Sequence, residues 1–277
     1  MSNEYNDVVV DHTYDKKADI LIITALYEER KWVQRVFSTE WRDVKREGTI
    51  YQVCDYQIND RVLKVVVVSQ LQMGMPHAAI LSTKSLVLWS PALVVMTGIC
   101  AGVRGNVNLG DLIIANKVFD YGSGKVVDGK LRPAFEPVLV DAWLWQLLEV
   151  FRNDKGMGEA IHAEYPLEDR PQDPLTIHIG SIGSGAAVVA DSNVVEGILS
   201  AERKLLGLDM ESYAVALATS MSTTSSRRTE SFIVKGVVDF ADQQKNDSYH
   251  EYACYASAAF TKRFVDRYYV ELVVDNS

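Results

Sequence analysis

Two aspartates, Asp239 and Asp242, end the apolar run Phe232-Ile-Val-Lys-Gly-Val-Val-Asp-Phe-Ala-Asp242. A carboxylate at the carboxyl end of a buried strand stands where open α/β sheets bind ligands, because the strand holds it rigid while the adjoining loops form a crevice. Held protonated by burial, such a group is a general acid; ionised, it accepts hydrogen bonds or stabilises a cation. Asp242 has a second reading as the N-cap of a helix predicted over about 248–269, whereas Asp239 lies too early to cap it. Glu211 follows the apolar run Leu205-Leu-Gly-Leu208 and precedes a helix predicted from about 210 to 221. There it either faces a ligand or steadies the helix dipole, by a few tenths to about 1 kcal/mol. Glu28 and Glu29 follow a third apolar run, and Gly98-Ile-Cys-Ala-Gly102 follows a fourth. A loop of small residues lets backbone amides approach a ligand, and equally makes a plain tight turn.

The elements that must position these groups are legible from periodicity. Residues 18–24 and 92–97 are continuous apolar runs of the kind shown by strands covered on both faces. After the first, Trp32, Val33, Val36 and Phe37 recur at helical spacing over 28–37, with acids in the first turn that suit the helix dipole. Residues 50–58 and 62–69 flank Asn59-Asp60 and predict a hairpin, which makes the sheet mixed. Gly74 opens a helix predicted over 76–89 with proline in its first turn. A strand over 111–118, a helix over 138–151 and a strand over 176–182 follow. Asp191 is placed to cap a helix over 192–200. The glycine-, proline- and charge-rich stretch 153–174 reads as a surface excursion, and 221–229 as a polar loop. Residues 1–17 lack periodicity and read as a flexible leader before a single domain over 18–277.

The chain has 277 residues, 48% of them hydrophobic, and a formal net charge of −9. That is enough to bury a large core. The acidic balance argues against nucleic acid as a partner, since phosphate binding needs clustered cations. Three widely spaced cysteines and five unclustered histidines show no metal-ligand pattern, so reduced buried thiols and no metal or other cofactor are expected. Without a signal peptide or an apolar run of membrane-spanning length, the expectation is a cytoplasmic protein with no membrane partner.

The motifs Ala25-Leu-Tyr-Glu-Glu29, Thr97-Gly-Ile-Cys-Ala-Gly102 with Gly110-Asp111, Asp209-Met-Glu211 and Val238-Asp-Phe-Ala-Asp-Gln-Gln244 together resemble the purine nucleoside phosphorylase and nucleosidase superfamily, and most of all its methylthioadenosine/S-adenosylhomocysteine nucleosidases. The resemblance runs from about residue 18 to 269. It implies an α/β protein, a three-layer α/β/α sandwich around a mixed central sheet, that cleaves the N-glycosidic bond of a purine nucleoside or nucleotide, with adenine favoured as the base. Asp239 then matches the general acid for the purine N7, Glu211 the acceptor of the ribose hydroxyls, and Met210 the residue beneath the sugar. Glu29 matches the group that positions the attacking water. A carboxylate there favours hydrolysis over phosphorolysis, because it would repel phosphate by about 4 kcal/mol at about 4 Å and an effective dielectric near 20. The resemblance also implies a homo-oligomer.

Several residues depart from the family pattern. Lys235 falls where the nucleosidases carry an arginine, and lysine lacks the planar fork. Ile99, beside Gly98, replaces a hydroxyl residue. Val188 replaces an aromatic that stacks on the purine, leaving the backbone of Val189 to read the base edge. Arg104, Lys117, Lys125 and Arg132 make a cationic stretch in an acidic chain; it reads either as a solvated rim or, for Arg104, Lys125 and Arg132, as a 5′-phosphate site similar to that of nucleosidase-like effector domains in bacterial signalling and anti-phage systems. Besides hydrolysis, two readings stay open: a phosphate-dependent phosphorylase, and a nucleoside- or nucleotide-sensing module that binds without cleaving.

Overall fold

Alternation within the apolar runs decides which layer each side chain joins. In β1 (Ile20–Thr24), Ile20 and Ile22 point into one core while Leu21 and Ile23 point into another, as a strand covered on both faces requires. The computed structural model of the protein describes residues 17–38, 40–187, 189, 191–222, 229–242 and 247–274; the expected leader, except Lys17, and most of the polar loop after Met221 lie outside them.

After β1 come α1 (Tyr27–Phe37), β2 (Arg42–Arg46), β3 (Thr49–Ile58), β4 (Arg61–Ser69), α2 (Met75–Trp89) and β5 (Leu93–Gly102). Then follow β6 (Leu112–Asp120), the hairpin β7 (Gly124–Val127) and β8 (Lys130–Pro133), β9 (Val138–Leu139), α3 (Ala142–Arg152) and α4 (Met157–Ala163). The chain continues through β10 (Ile177–Ser184), α5 (Ser192–Ala201), β11 (Leu205–Asp209), α6 (Ser212–Ser222), β12 (Glu230–Asp239) and α7 (His250–Tyr269). The main sheet has the order β11-β10-β6-β12-β5-β1-β4-β3-β2, with β9 beside β6. It is mixed: β1, β4, β5 and β12 run parallel, while β6 meets β12 antiparallel. Helices α1, α3, α4 and α7 cover one face and α2 and α6 the other, which is the three-layer α/β/α architecture expected.

One further pairing shapes the site. β11 also meets the end of β5 antiparallel, with Gly207 opposite Gly102 and Leu208 opposite Ala101. Strands β5, β12, β6, β10 and β11 therefore close into a ring, and the carboxyl ends of β5, β11 and β12 are drawn together. Where β12 approaches α7, a Cβ on Gly236 would lie 2.6 Å from the Ala253 carbonyl oxygen.

Some expectations need correction. Gly98–Gly102 is not a loop: it continues β5, because β12 and β11 supply ladder partners as far as Gly102. The helix expected over 138–151 begins at Ala142, after Val138 and Leu139 pair with β6 and Asp141 caps it by accepting from the Trp143 N–H at 2.9 Å. The stretch 153–174 is not wholly a surface excursion. Within it, α4 buries Ile161, and Tyr165 packs against Trp32, Tyr252 and Tyr255. Asp242 does not cap the last helix, which begins at His250 after a 3₁₀ turn over Asp247–Tyr249; it pairs with Arg104.

All three cysteines are free and buried. Among the described residues no helix is long and apolar enough to cross a membrane, and no group of three or more His, Cys, Asp or Glu is arranged to hold a metal. Gly236→Ala is expected to lower the unfolding free energy by about 1–3 kcal/mol, the usual range for overpacking, read from the urea midpoint.

Candidate active site

The converging strand ends enclose a cavity of about 170 Å³ whose wall includes Glu29, Ile99, Val189, Met210, Glu211 and Asp239. Six of the residues singled out from sequence thus meet in one place. Gly98 and Lys235 stand behind that wall, facing each other in register across β5 and β12. Val188 lies outside the described residues. Arg104 is engaged by Asp242 and stacks over Phe240 at 4.3 Å, while Lys125 and Arg132 lie on the β7–β8 hairpin; none of the three lines the cavity. Lys117 pairs with Glu202. Glu28 is exposed.

Glu29 is the most tightly held group. Placed at the third position of α1, its Oε2 accepts from the Ala25 N–H at 2.7 Å and the Leu26 N–H at 2.9 Å, which closes the amino end of the helix. Its Oε1 accepts from the Ile99 N–H at 2.9 Å. The Ile99 amide, read from sequence as free to approach a ligand, is therefore spent on this carboxylate. Gly98 makes the arrangement possible, since a Cβ there would sit 2.2 Å from Glu29 Oε1. Burial pushes the Glu29 carboxyl above its ordinary value of 4.5, against the Lys235 cation and the three N–H donors, which pull it down.

Glu211 is presented by the turn between β11 and α6. Its Oε1 accepts from the Gly74 N–H at 2.7 Å and Gln70 Nε2 at 3.0 Å, so Oε2 remains for a ligand. Burial raises its pKa and Asp209 adds to the rise; Lys235 and the Gly74 N–H oppose both. Asp239 is half-buried and fixed by an Asx turn, Oδ1 accepting from the Ala241 N–H at 2.8 Å. That turn uses Ala241 at a φ of 55°. A bulge between Val237 and Asp239 re-aims the side chain relative to a regular strand.

Lys235 is 1% exposed, with Nζ 3.3 Å from Asp209 Oδ2. Burial alone would favour the neutral amine; Asp209, Glu29 and Glu211 together outweigh it and hold the ammonium above its usual range. Asp209 also accepts from Ser184 Oγ at 2.7 Å and the Ser212 N–H at 3.2 Å, which ties the cation to the start of α6. Asp209 ends an apolar strand just as Asp239 does, a signal of its role that its sequence position already carries. Tyr121 was missed. It lines the cavity, its hydroxyl donates to the Ala187 carbonyl at 3.1 Å, and its ring fills the space a Cβ on Gly185 would need. Gln70 had no sequence signal, because its importance comes from a partner 141 positions away.

A ring-closed mixed sheet with helices on both faces and carboxylates converging at its strand ends defines a nucleoside-phosphorylase-like protein. Residues 19–269 match the Phosphorylase superfamily, and the chain belongs to that family. It is 32% identical over 258 residues to the uncharacterized protein y4jS of Sinorhizobium fredii (strain NBRC 101917 / NGR234), covering 91% of this chain and 62% of that one. It is 26% identical over 260 residues to the ATP nucleosidase Cap17 of Escherichia coli (strain KTE188), covering 89% of this chain and 50% of that protein. This chain thus spans about half to three fifths of the length of these relatives. Among solved structures, the 5′-methylthioadenosine/S-adenosyl homocysteine nucleosidase of Helicobacter pylori has the same fold, with a TM-score of 0.71 and 17% identity over 91% of this chain and 100% of that one.

Removing the buried cation while leaving its carboxylates, as in Lys235→Met, is expected to cost about 3–5 kcal/mol in urea unfolding, with Lys235→Arg costing less because the charge remains. Gly98→Ala should push Glu29 off the Ile99 N–H and lower the urea midpoint while the far-ultraviolet spectrum is kept.

Proposed function

We propose that this chain hydrolyses the N-glycosidic bond of a purine nucleoside or nucleotide, with adenine as the leaving base and nucleotides among its substrates. The observation that carries the reading is the meeting of Glu29, Glu211 and Asp239 in one cavity, each held by its own hydrogen bonds. Cleaving the bond builds positive charge on the sugar and negative charge on the base, so an enzyme gains by answering both. Asp239, its Oδ1 occupied by the Ala241 N–H, keeps Oδ2 to give a proton to the purine N7 as the bond between the anomeric carbon and the base breaks. Glu211 accepts the ribose hydroxyls on Oε2, and its charge favours the cationic sugar. Glu29 takes a proton from the water that attacks the anomeric carbon, and exchange with solvent returns a proton to Asp239. Met210 packs beneath the sugar, Ile99 lines the nucleophile's side, and Val189 with Tyr121 borders the base.

The resting site supports hydrolysis over phosphorolysis. The place for a nucleophile is bordered by Glu29, and Lys235 behind the wall is already engaged by Asp209, so an incoming phosphate would meet repulsion with no free cation among the described residues of the wall to offset it. Family membership agrees with this chemistry, and the name of the E. coli relative, an ATP nucleosidase, favours a nucleotide over a plain nucleoside.

The test is to incubate the purified protein with adenosine, methylthioadenosine, AMP, ATP, guanosine and inosine, with and without phosphate, and to identify the released base and sugar by chromatography. Adenine with a free sugar or sugar phosphate, independent of added phosphate, is expected; a sugar 1-phosphate product would replace hydrolysis by phosphorolysis, and binding without release would leave a sensor. Asp239→Asn should lose at least about 100-fold in turnover while keeping its fold, since the amide oxygen can still accept from the Ala241 N–H. Because Glu29 must be ionised to take the proton, and burial raises its pKa, the acid limb of kcat/KM should lie above pH 4.5. Lys235 pulls that pKa down, so Lys235→Met should move the limb to still higher pH.

A further inference from the structure

Among the described residues the cavity wall includes no lysine or arginine, and the cation behind it is paired with Asp209. Among the cationic residues of the stretch after β5, Arg104 is held by Asp242 and Lys117 by Glu202. If a nucleotide places its base and sugar in this cavity, the cations that the described residues offer its phosphates stand beyond the wall. The β7–β8 hairpin carries two cations, Lys125 and Arg132. It starts at Gly124, three residues after the cavity-lining Tyr121.

Its base is fixed. The Tyr121 N–H donates to the Ser184 carbonyl at 3.0 Å and the Ala134 N–H to the Ser123 carbonyl at 3.1 Å, while Phe135 stacks on Phe119 with ring centroids 4.5 Å apart. Lys125 pairs directly with Arg132 across the two strands, so both side chains leave the same face of the hairpin, with Cβ atoms about 4.5–5.5 Å apart. Like charges so placed destabilise a hairpin. Both residues are exposed, and among the described residues neither forms an ion pair. A chain with a net charge of −9 has many carboxylates with which to quench such a pair, and none of those among the described residues forms an ion pair with it. A cross-strand cation pair left open in this way is complementary to a polyanion, with the arginine giving a planar fork and the lysine a point charge. Lys125 is four residues from Tyr121, so its Cα lies within about 14 Å of the cavity wall along the chain.

We propose that the face formed by Lys125 and Arg132 binds the 5′-polyphosphate of a purine nucleotide whose base and sugar occupy the cavity. This rests on the nucleotide reading above and assigns the element that recognises the phosphates. Affinity for the triphosphate then depends on salt, because the contacts are charged and exposed, whereas affinity for adenosine does not.

The experiment is titration calorimetry on full-length Asp239→Asn protein, in which the ligand stays intact, with ATP and with adenosine at two salt concentrations. The same measurement is made on the variant that also carries Lys125→Ala and Arg132→Ala, and on one with Lys125→Arg and Arg132→Lys. The alanine pair should lower the ratio of ATP affinity to adenosine affinity at least about tenfold, the equivalent of one charge-assisted contact, and should flatten the salt dependence; the exchanged pair should keep most of the ratio. An unchanged ratio, or no ATP binding by the parent protein, overturns the proposal. Base release by the wild-type chain reports separately on the hydrolase reading: release with an unchanged ratio removes the hairpin's role alone, and ATP binding that needs the hairpin, without release from any purine compound, removes the hydrolase reading alone.

Discussion

A single buried ammonium organises the centre of this protein. Lys235 sits in the middle of β12 with Asp209, Glu29 and Glu211 around it, brought there by the end of β11, the first turn of α1 and the turn before α6. Taking a charge out of water costs several kcal/mol per ion, and that cost is offset here by well-placed partners of opposite sign. The consequence reaches beyond stability. Burial raises the pKa of both Glu29 and Glu211, and the Lys235 cation pulls each of them back down, which favours their charged forms. The pairing also fixes position. Lys235 ties β12 to the end of β11, while Gly98, its neighbour in register on β5, leaves room for Glu29.

Closure of the sheet is what makes such a cluster feasible. In an open sheet, the ends of β5, β11 and β12 would spread along an edge; the antiparallel contact of Gly207 and Leu208 with Gly102 and Ala101 brings them round to face one another. Small residues at the seam allow it, since a Cβ on Gly102 would lie 2.6 Å from Val107 and one on Gly207 2.9 Å from Ile113. The ladder extends β5 to Gly102, which turns what looks like a ligand loop into a rigid wall. Preorganisation of this kind suits chemistry whose charge develops at the moment of bond breaking, because the dipoles need not reorient.

Three carboxylic acids share the cavity and differ in how they are held. Glu29 meets three backbone N–H groups and almost no solvent; Glu211 meets one N–H and one side-chain amide; Asp239 meets one N–H and stays half-open. The donors decide which oxygen of each is free, and burial raises the pKa of both glutamates. Three identical functional groups are in this way held in three different settings within one small space.

Much of this was legible in the sequence. The apolar runs that became β1, β5 and β12, the amphipathic spacing of α1 and the Asn59-Asp60 turn depend on local periodicity and turn chemistry, which neighbouring residues carry by themselves. The strand-end rule marked Asp239 and Glu211 for the same reason. Other features were written in pairs distant along the chain. Gln70 orients Glu211, Asp209 engages Lys235, and β11 closes onto β5; the two short elements that were misread, β9 and α4, exist because β6 and the aromatic cluster around Tyr165 receive them. The sequence by itself determined which residues could form strands and which acids would stand at their ends. Tertiary structure alone decided which of those acids meet, which oxygen each leaves free and which cation they surround, because burial, hydrogen-bond partners and charge neighbours are properties of the packed interior and not of any local stretch of chain.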